Sequence, residues 1–321
     1  MKAIRMHETG DPEVMRLEEV DDPRPAQGGV TVRVAAAGVN FIDLYRRSGA
    51  YAVDLPQTPG SEGAGVVEAV GDGVTDLREG DQVAWAAAPG SYAELVSLPT
   101  AKAVPVPDGV DLQLAAAVML QGMTAHYLAS STFPLREGHT ALVHAGAGGV
   151  GRLLVQIAKR RGARVLTTVS TDEKERLARE AGADEVIRYT ETDSAEAVAR
   201  LTDGGVDVVY DSVGKDTFDK SLDSLRPRGY LVLYGQSSGA VGAVDPQVLN
   251  AKGGLFLTRP SLAHYTLDRA ELSARAGDLF EWIAAGELNV RVDQTWPLAE
   301  AAEAHRYLAD RRSKGKLLLL P

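Results

Sequence analysis

Cysteine is absent from the sequence, which excludes disulfides, thiolate zinc sites and cysteine nucleophiles together. The histidines, His7, His126, His139, His144, His264 and His305, show no H-x-x-x-H or similar ligand spacing, so no metal site is expected. Long apolar runs are missing too. No stretch approaches the ~20 residues of a membrane span, and the start, MKAIRMHETGDPEV, lacks the apolar run of a signal peptide. A cytoplasmic protein is the expectation. Basic charge is in deficit: 34 Lys and Arg against 44 Asp and Glu leave a net charge of -10. No dense basic cluster stands apart from acidic neighbours, so neither nucleic acid nor an anionic membrane is expected as the main partner.

What is present is a change of rhythm along 321 residues, long enough for two separate cores because one core stops growing near ~250–300 residues. The stretches VTVRVAAAG (30–38), GAGVVEAVG (63–71), DQVAWAA (81–87) and SYAELVSL (91–98) alternate with Gly and Pro punctuation, which predicts a mostly antiparallel β domain. AVPVPDGVDLQLAAAVML leads into a helix with Asp111 as its N-cap. After His139, the strand TALVHAG precedes the helix VGRLLVQIAKRRGA. Its Val150, Leu153, Leu154 and Ile157 share one face, and Gly162 ends it. Strands and helices then alternate through RVLTTVS, a helix from Thr171 to Ala181, EVIRY, VDVVYDSVG, YLVLYGQSSG and LFLTRPSL. This alternation predicts βαβ crossovers and a parallel sheet covered on both faces. A helix near 270–286, LNVRVDQTWPL, a helix at 298–311 and the strand KLLLL complete the chain.

The stretch HAGAGGVG, His144–Gly151, carries Gly146-x-Gly148-x-x-Gly151 between a strand and an amphipathic helix. A glycine triplet alone is weak evidence; this context points to a dinucleotide. Gly146 is expected to permit a tight turn, Gly148 to admit a pyrophosphate, and Gly151 to let the helix pack on the strand. The helix N-terminus offers N–H groups and partial positive charge to phosphate. The alternative is a glycine-rich turn with no ligand.

The second strand of this region ends in Val169-Ser170-Thr171, without the acid that binds a ribose 2′-hydroxyl in NAD sites. Ser170 to Glu173 reads as a capping box, with Glu173 returning to the Ser170 N–H. Lys174 follows near the 2′ position, and Arg188 and Tyr189 come after the third strand. A small polar tip with a cation suits a 2′-phosphate, so NADPH is expected rather than NADH. Taken alone, Lys174 also reads as a solvated residue on a helix face.

The stretch Gly138–Lys159, GHTALVHAGAGGVGRLLVQIAK, resembles the quinone oxidoreductase signature of the zinc-free medium-chain dehydrogenase/reductases. GVNFIDLYRRSGAY (38–51), PGSEGAGVVEAVGDGV (59–74), VVYDSVG (208–214), YGQSSGAV (234–241) and TRPSL (258–262) are similar to the bacterial NADPH-dependent, zeta-crystallin-like group of that family. The resemblance implies an α/β fold: a Rossmann doubly wound parallel sheet over 121–267, and a GroES-like, mostly antiparallel β domain built from 1–120 and 268–321. Zinc-dependent members hold their metal with an early Cys and the His of a Gly-His-Glu triplet. Here Asn40 and Gly60-Ser61-Glu62 stand in those places, so metal-free catalysis is expected.

Carried over by residue, the resemblance places Asn40, Phe41, Asp43 and Tyr45 beside the nicotinamide, and Thr124 also against cofactor. Gly148, Gly149 and Val150 would meet the pyrophosphate; Ser170, Lys174, Tyr189 and Arg311 fall on the adenosine phosphate side. Ser212, Tyr234, Ser237, Arg259 and Ser261 lie on loops after sheet strands, where ligands of open α/β sheets bind. The catalytic candidates are Asn40, Asp43, Tyr45 and Tyr51, with the two tyrosines shaping the acceptor pocket. Asn40 also reads as a turn residue, Asp43 as a cap for a helix at 42–47, and both tyrosines as packing residues. Arg46 and Arg47 are expected to face solvent, and Asp211 to fix loops. LFLTRPSL is expected to pair with a second copy in a homodimer.

Without a Lewis acid to stabilise an alkoxide, the substrate must accept hydride readily. Quinones and activated enones do so, and the enzyme's work becomes positioning and water exclusion. The expected function is NADPH-dependent quinone reduction. The alternatives are reduction of other conjugated enones or alkenals, and a crystallin-like structural or RNA-binding role.

Overall fold

The computed structural model describes residues 1–321. Along the chain run β1 (Lys2–Arg5), β2 (Arg16–Glu19), β3 (Gly29–Val39), α1 (Phe41–Arg47), β4 (Glu62–Val70), β5 (Gln82–Ala86), β6 (Leu95–Pro99), β7 (Val104–Pro105) and α2 (Leu112–Tyr127). There follow β8 (Thr140–Val143), α3 (Gly149–Arg160), β9 (Arg164–Val169), α4 (Asp172–Glu180), β10 (Glu185–Arg188), α5 (Ser194–Leu201), β11 (Val206–Asp211), α6 (Phe218–Asp223), β12 (Leu225–Leu233), α7 (Gln247–Ala251) and β13 (Phe256–Thr258). Finally come α8 (Arg269–Ala284), β14 (Val292–Pro297), α9 (Ala301–Ala309) and β15 (Lys316–Leu320). The chain divides into two compact units: Met1–Met123 with Tyr265–Pro321, and Thr124–His264.

The first unit is built on a seven-stranded sheet in the order β14-β15-β3-β4-β5-β7, with β6 also paired to β3. All its pairs are antiparallel except β14 with β15. Strand β15 lies inside the sheet, next to the edge strand β14, and its Leu317, Leu318 and Leu319 pair with Val39, Gly38 and Ala37. Alternation along β3 sends Val30, Val32 and Val34 into a core with Val67, Trp85, Leu317 and Leu319. Full burial of each such side chain contributes about 1.5–3 kcal/mol. Of SYAELVSL only the part from Leu95 on is strand, in β6. The Ser91–Ala93 part turns away, held by single bonds such as Ile4 N–H to Tyr92 O at 2.9 Å.

The second unit is a six-stranded, wholly parallel sheet in the order β10-β9-β8-β11-β12-β13. Counted within the unit, that is 3-2-1-4-5-6, the doubly wound Rossmann order, with its switch point at β8. Strands β8, β9 and β11 are buried along nearly their whole length, as a sheet covered on both faces requires. Helix α3 buries Leu153, Leu154 and Ile157. Gly162, at φ 79°, terminates it by donating to Lys159 O. Helix α4 is capped one residue later than the capping-box reading has it. Thr171, not Ser170, is the N-cap, and its hydroxyl accepts from Lys174 N–H. The LFLTRPSL strand is short, only Phe256–Thr258, because proline follows Arg259.

Candidate functional site

In the second unit the glycine loop leaves the C-terminal end of β8 and enters α3. The left-handed residue of its turn is Ala145, at φ 56°, and not Gly146. Gly146 is needed for another reason: a Cβ there would collide with the Thr167 side chain. A Cβ on Gly151 would strike the Ala145 carbonyl. Gly148 differs. It is the N-cap, with ordinary φ of -78°, and a Cβ would meet only Ala145 O at 3.2 Å. The protein's own packing therefore asks less of Gly148 than of Gly146 or Gly151, and its position at the helix start fits a closely approaching diphosphate. The first-turn amides of α3 have no intrahelical acceptors by helix geometry, and no acid occupies that turn. Gly149 and Val150 are half-buried there.

Behind the loop, His144 is buried between Thr168 Oγ1 and Ser221 Oγ, both at 3.0 Å. Burial depresses its pKa. Ser221 donates to Asp211 Oδ2 at 2.7 Å; Asp211 also accepts from Thr217 and from the Val213 and Gly214 amides. These bonds tie the loop after β11 to the base of the glycine turn. The loop after β12 joins them through Tyr234 N–H to Asp211 O (2.8 Å) and Ser237 N–H to Ser212 O (3.1 Å). At the tip of β9, Ser170 and Lys174 are half-exposed and Tyr189 is 51% exposed. Arg188 is occupied by Asp172, Glu175 and Glu191. Thr124 is buried in α2, and Arg259 and Ser261 are exposed after β13. Arg311, at φ 58° just beyond α9, belongs to the first unit.

In that first unit the residues after β3 enter a buried polar cluster. Asp43, at the third position of α1, accepts from the Asn40 N–H at 2.9 Å. Its two oxygens also take the Ser61 hydroxyl (3.3 Å) and the Tyr92 hydroxyl (3.2 Å). Burial raises the Asp43 pKa to about 6, against the opposing pull of the Asn40 amide, Arg46 and Lys316. Tyr92 in turn meets His305 Nε2 at 3.1 Å. With the phenol proton given to Asp43, the His305 proton is assigned to Nε2. Burial, helped by Arg47, lowers the His305 pKa to about 3.

Asn40 is 4% exposed, and both ends of its amide are engaged. Nδ2 donates to Glu62 Oε2 at 2.8 Å, while Oδ1 accepts from Lys316 Nζ at 2.9 Å. Lys316 also pairs directly with Glu62. The rings of Phe41, Tyr45 and Tyr51 follow one another at 6.1 and 5.3 Å, a partly exposed aromatic row. Two arginines depart from the solvent-facing expectation. Arg46 is half-buried and donates to Ser61 Oγ at 2.5 Å, and Arg47 is 8% exposed. Arg47 is buried where α1 lies against α9, which itself packs on the turn at Pro12–Val14. Lys316, Tyr92 and His305 are members of the cluster that sequence reading misses. Lys316 lies 276 positions from Asn40, and its one local sign is a lysine opening an otherwise apolar strand.

No three His, Cys, Asp or Glu side chains gather where they could hold a metal ion. No helix is long and apolar enough to cross a membrane. Residues 26–108 match the alcohol dehydrogenase GroES-like domain, and residues 181–319 match the zinc-binding dehydrogenase domain. The chain is 48% identical to a quinone oxidoreductase of Pseudomonas aeruginosa, with 100% of this chain and 99% of that protein covered. It is 43% identical to a 2-haloacrylate reductase of a Burkholderia species, covering 99% and 98%. It superposes on the crystal structure of Escherichia coli quinone oxidoreductase complexed with NADPH with a TM-score of 0.98, at 42% identity and full coverage of both chains. The chain belongs to the quinone oxidoreductases of the medium-chain dehydrogenase/reductase family.

Proposed function

We propose that this protein reduces quinones with hydride from NADPH, without a metal ion. The observation that carries the reading is the glycine loop. Gly146 and Gly151 are fixed by packing, whereas Gly148 is less constrained and stands at the helix start, in a chain that matches an NADPH-complexed quinone oxidoreductase end to end. Bound NADPH supplies the hydride. The chain's residues bind and orient: Gly148, Gly149 and Val150 hold the diphosphate, and Ser170, Lys174, Tyr189 and Arg311 the 2′-phosphate side. Thr124, Ser212, Tyr234, Ser237, Arg259 and Ser261 complete the cofactor contacts. Phe41, Tyr45 and Tyr51 border the flat acceptor, with Asn40 and Asp43 fixing their helix. Exclusion of water and a near-attack geometry account for the acceleration.

Reduction of other conjugated carbonyl compounds is the second reading, favoured by the 2-haloacrylate reductase relative. A panel of quinones and alkenals, assayed by NADPH and NADH consumption with and without a chelator, tests both. Turnover of quinones with NADPH that survives chelation supports the proposal. Dependence on added zinc, or no acceptor-dependent oxidation of NADPH, refutes it. We further place the protein in the cytoplasm as a homodimer. The open edge of β13, with Phe256 49% exposed, supports the dimer.

A further inference from the structure

Glu62 and Lys316 form an ion pair whose side chains are 0% and 1% exposed. Taking two charges out of water costs several kcal/mol per ion, and such pairs are often no more stabilising than apolar residues of the same volume. This pair instead specifies an orientation. Asn40 Oδ1 accepts from Lys316 Nζ (2.9 Å) and Gln121 Nε2 (3.4 Å); Asn40 Nδ2 donates to Glu62 Oε2 (2.8 Å) and Gly38 O (3.4 Å). Flipping the amide would set its NH2 against the ammonium and its carbonyl against the carboxylate. The second Glu62 oxygen takes the Leu120 N–H at 2.5 Å, so α2 is tied to the same point. The surrounding sequence leaves room for the cation. A Cβ on Gly38 would stand 2.7 Å from both Nζ and Cε of Lys316.

We propose that Lys316 is a positioning residue of the reductase: with Glu62 it locks the Asn40 amide, fixes the first turn of α1, and so holds the Phe41–Tyr45–Tyr51 row against the acceptor. This rests on the reading that those rings border the acceptor. The lysine touches neither substrate nor cofactor. It serves as a built-in cation, placed by the last strand of the sheet and read out through the helix that follows Asn40.

The test uses the full chain and two variants: Lys316→Met, and Lys316→Met combined with Glu62→Gln, which removes both charges and folds if the lone buried carboxylate is what defeats the single change. The chain has three asparagines, and Asn250 and Asn289 are exposed. With nitrogen-15 asparagine, the slowly exchanging side-chain amide in heavy water therefore reports Asn40. Slow exchange in the parent and loss of protection in the folded variants are expected. With it should come a fall in kcat/KM for quinone of about tenfold to a hundredfold, the scale of a small misplacement at a reacting centre. NADPH affinity, read by fluorescence titration, should fall by less than kcat/KM does, because the glycine loop that holds the diphosphate is untouched. Equal Asn40 protection and equal kcat/KM in parent and double variant would overturn the proposal. If the parent itself fails to oxidise NADPH with any quinone, the functional reading falls instead, and the exchange comparison still decides whether Lys316 locks Asn40.

Discussion

Asp43 Oδ2 accepts a hydrogen bond from the Tyr92 hydroxyl at 3.2 Å, with both side chains fully buried. Since His305 meets the same hydroxyl, one phenol joins two groups whose pKa values move in opposite directions.

That opposition sets a pH dependence. Asp43 rises from 3.8 to about 6, so in that interval the folded protein holds a proton that the unfolded chain releases. Stability from this group is greatest at low pH and falls by about 3 kcal/mol as pH rises through the interval. His305 falls from 6.5 to about 3, so its contribution has the other sign and is lost on acidification. The two slopes largely cancel between about pH 4 and 6. Asp43→Asn should expose the histidine slope, with stability dropping on acidification by up to about 1.4 kcal/mol per pH unit. His305→Gln should show stability rising over the same range. Urea unfolding across pH measures both, and three parallel profiles would contradict the assignment.

The three loop glycines should separate experimentally. Gly151→Ala drives a Cβ into the Ala145 backbone and should cost about 1–3 kcal/mol of stability, seen in Tm. Gly148→Val should cost less in Tm than Gly151→Ala while weakening NADPH by at least about tenfold, or ~1.4 kcal/mol. Equal affinity in Gly148→Val and parent would remove the diphosphate from this loop.

Lys174→Ala should discriminate between cofactors. Loss of one charge-assisted bond to the 2′-phosphate predicts NADPH binding weaker by about tenfold to a hundredfold, with NADH changed by less than about twofold. Paired fluorescence titrations decide it, and parallel losses would assign Lys174 elsewhere.

The edge of the parallel sheet carries the assembly prediction. Phe256 stacks on Tyr230 at 4.4 Å and leaves half its surface exposed on the edge strand β13, which pairs with β12 on one side only. The parent should sediment as a dimer, and Phe256→Asp should shift it toward monomer without loss of helicity. A monomeric parent ends this reading.

The elements were largely legible because their signals are local. Alternation in β3, the apolar face of α3 and the Asp111 cap, which accepts from the Gln113 and Leu114 amides, all lie within a few residues. Errors arose where two neighbours competed for one role. Thr171 takes the cap that Ser170 could have taken, and Ala145 adopts the left-handed turn in place of Gly146. Arg47 reads as a surface residue until α9 covers it from the far end of the chain. The Lys316–Glu62–Asn40 cluster was illegible because its partners meet only through the pairing of β3 with both β4 and β15.

The place of β15 between β14 and β3 has a consequence for how the chain is made. While a ribosome is still translating, β3 and β4 can pair, yet residues 37–39 of β3 lack their neighbour until Lys316–Leu320 emerge. The parallel sheet, encoded wholly between residues 140 and 258, is complete much earlier. Vectorial synthesis therefore completes the parallel sheet before the antiparallel one, with Glu62 awaiting its counter-charge until Lys316 is made.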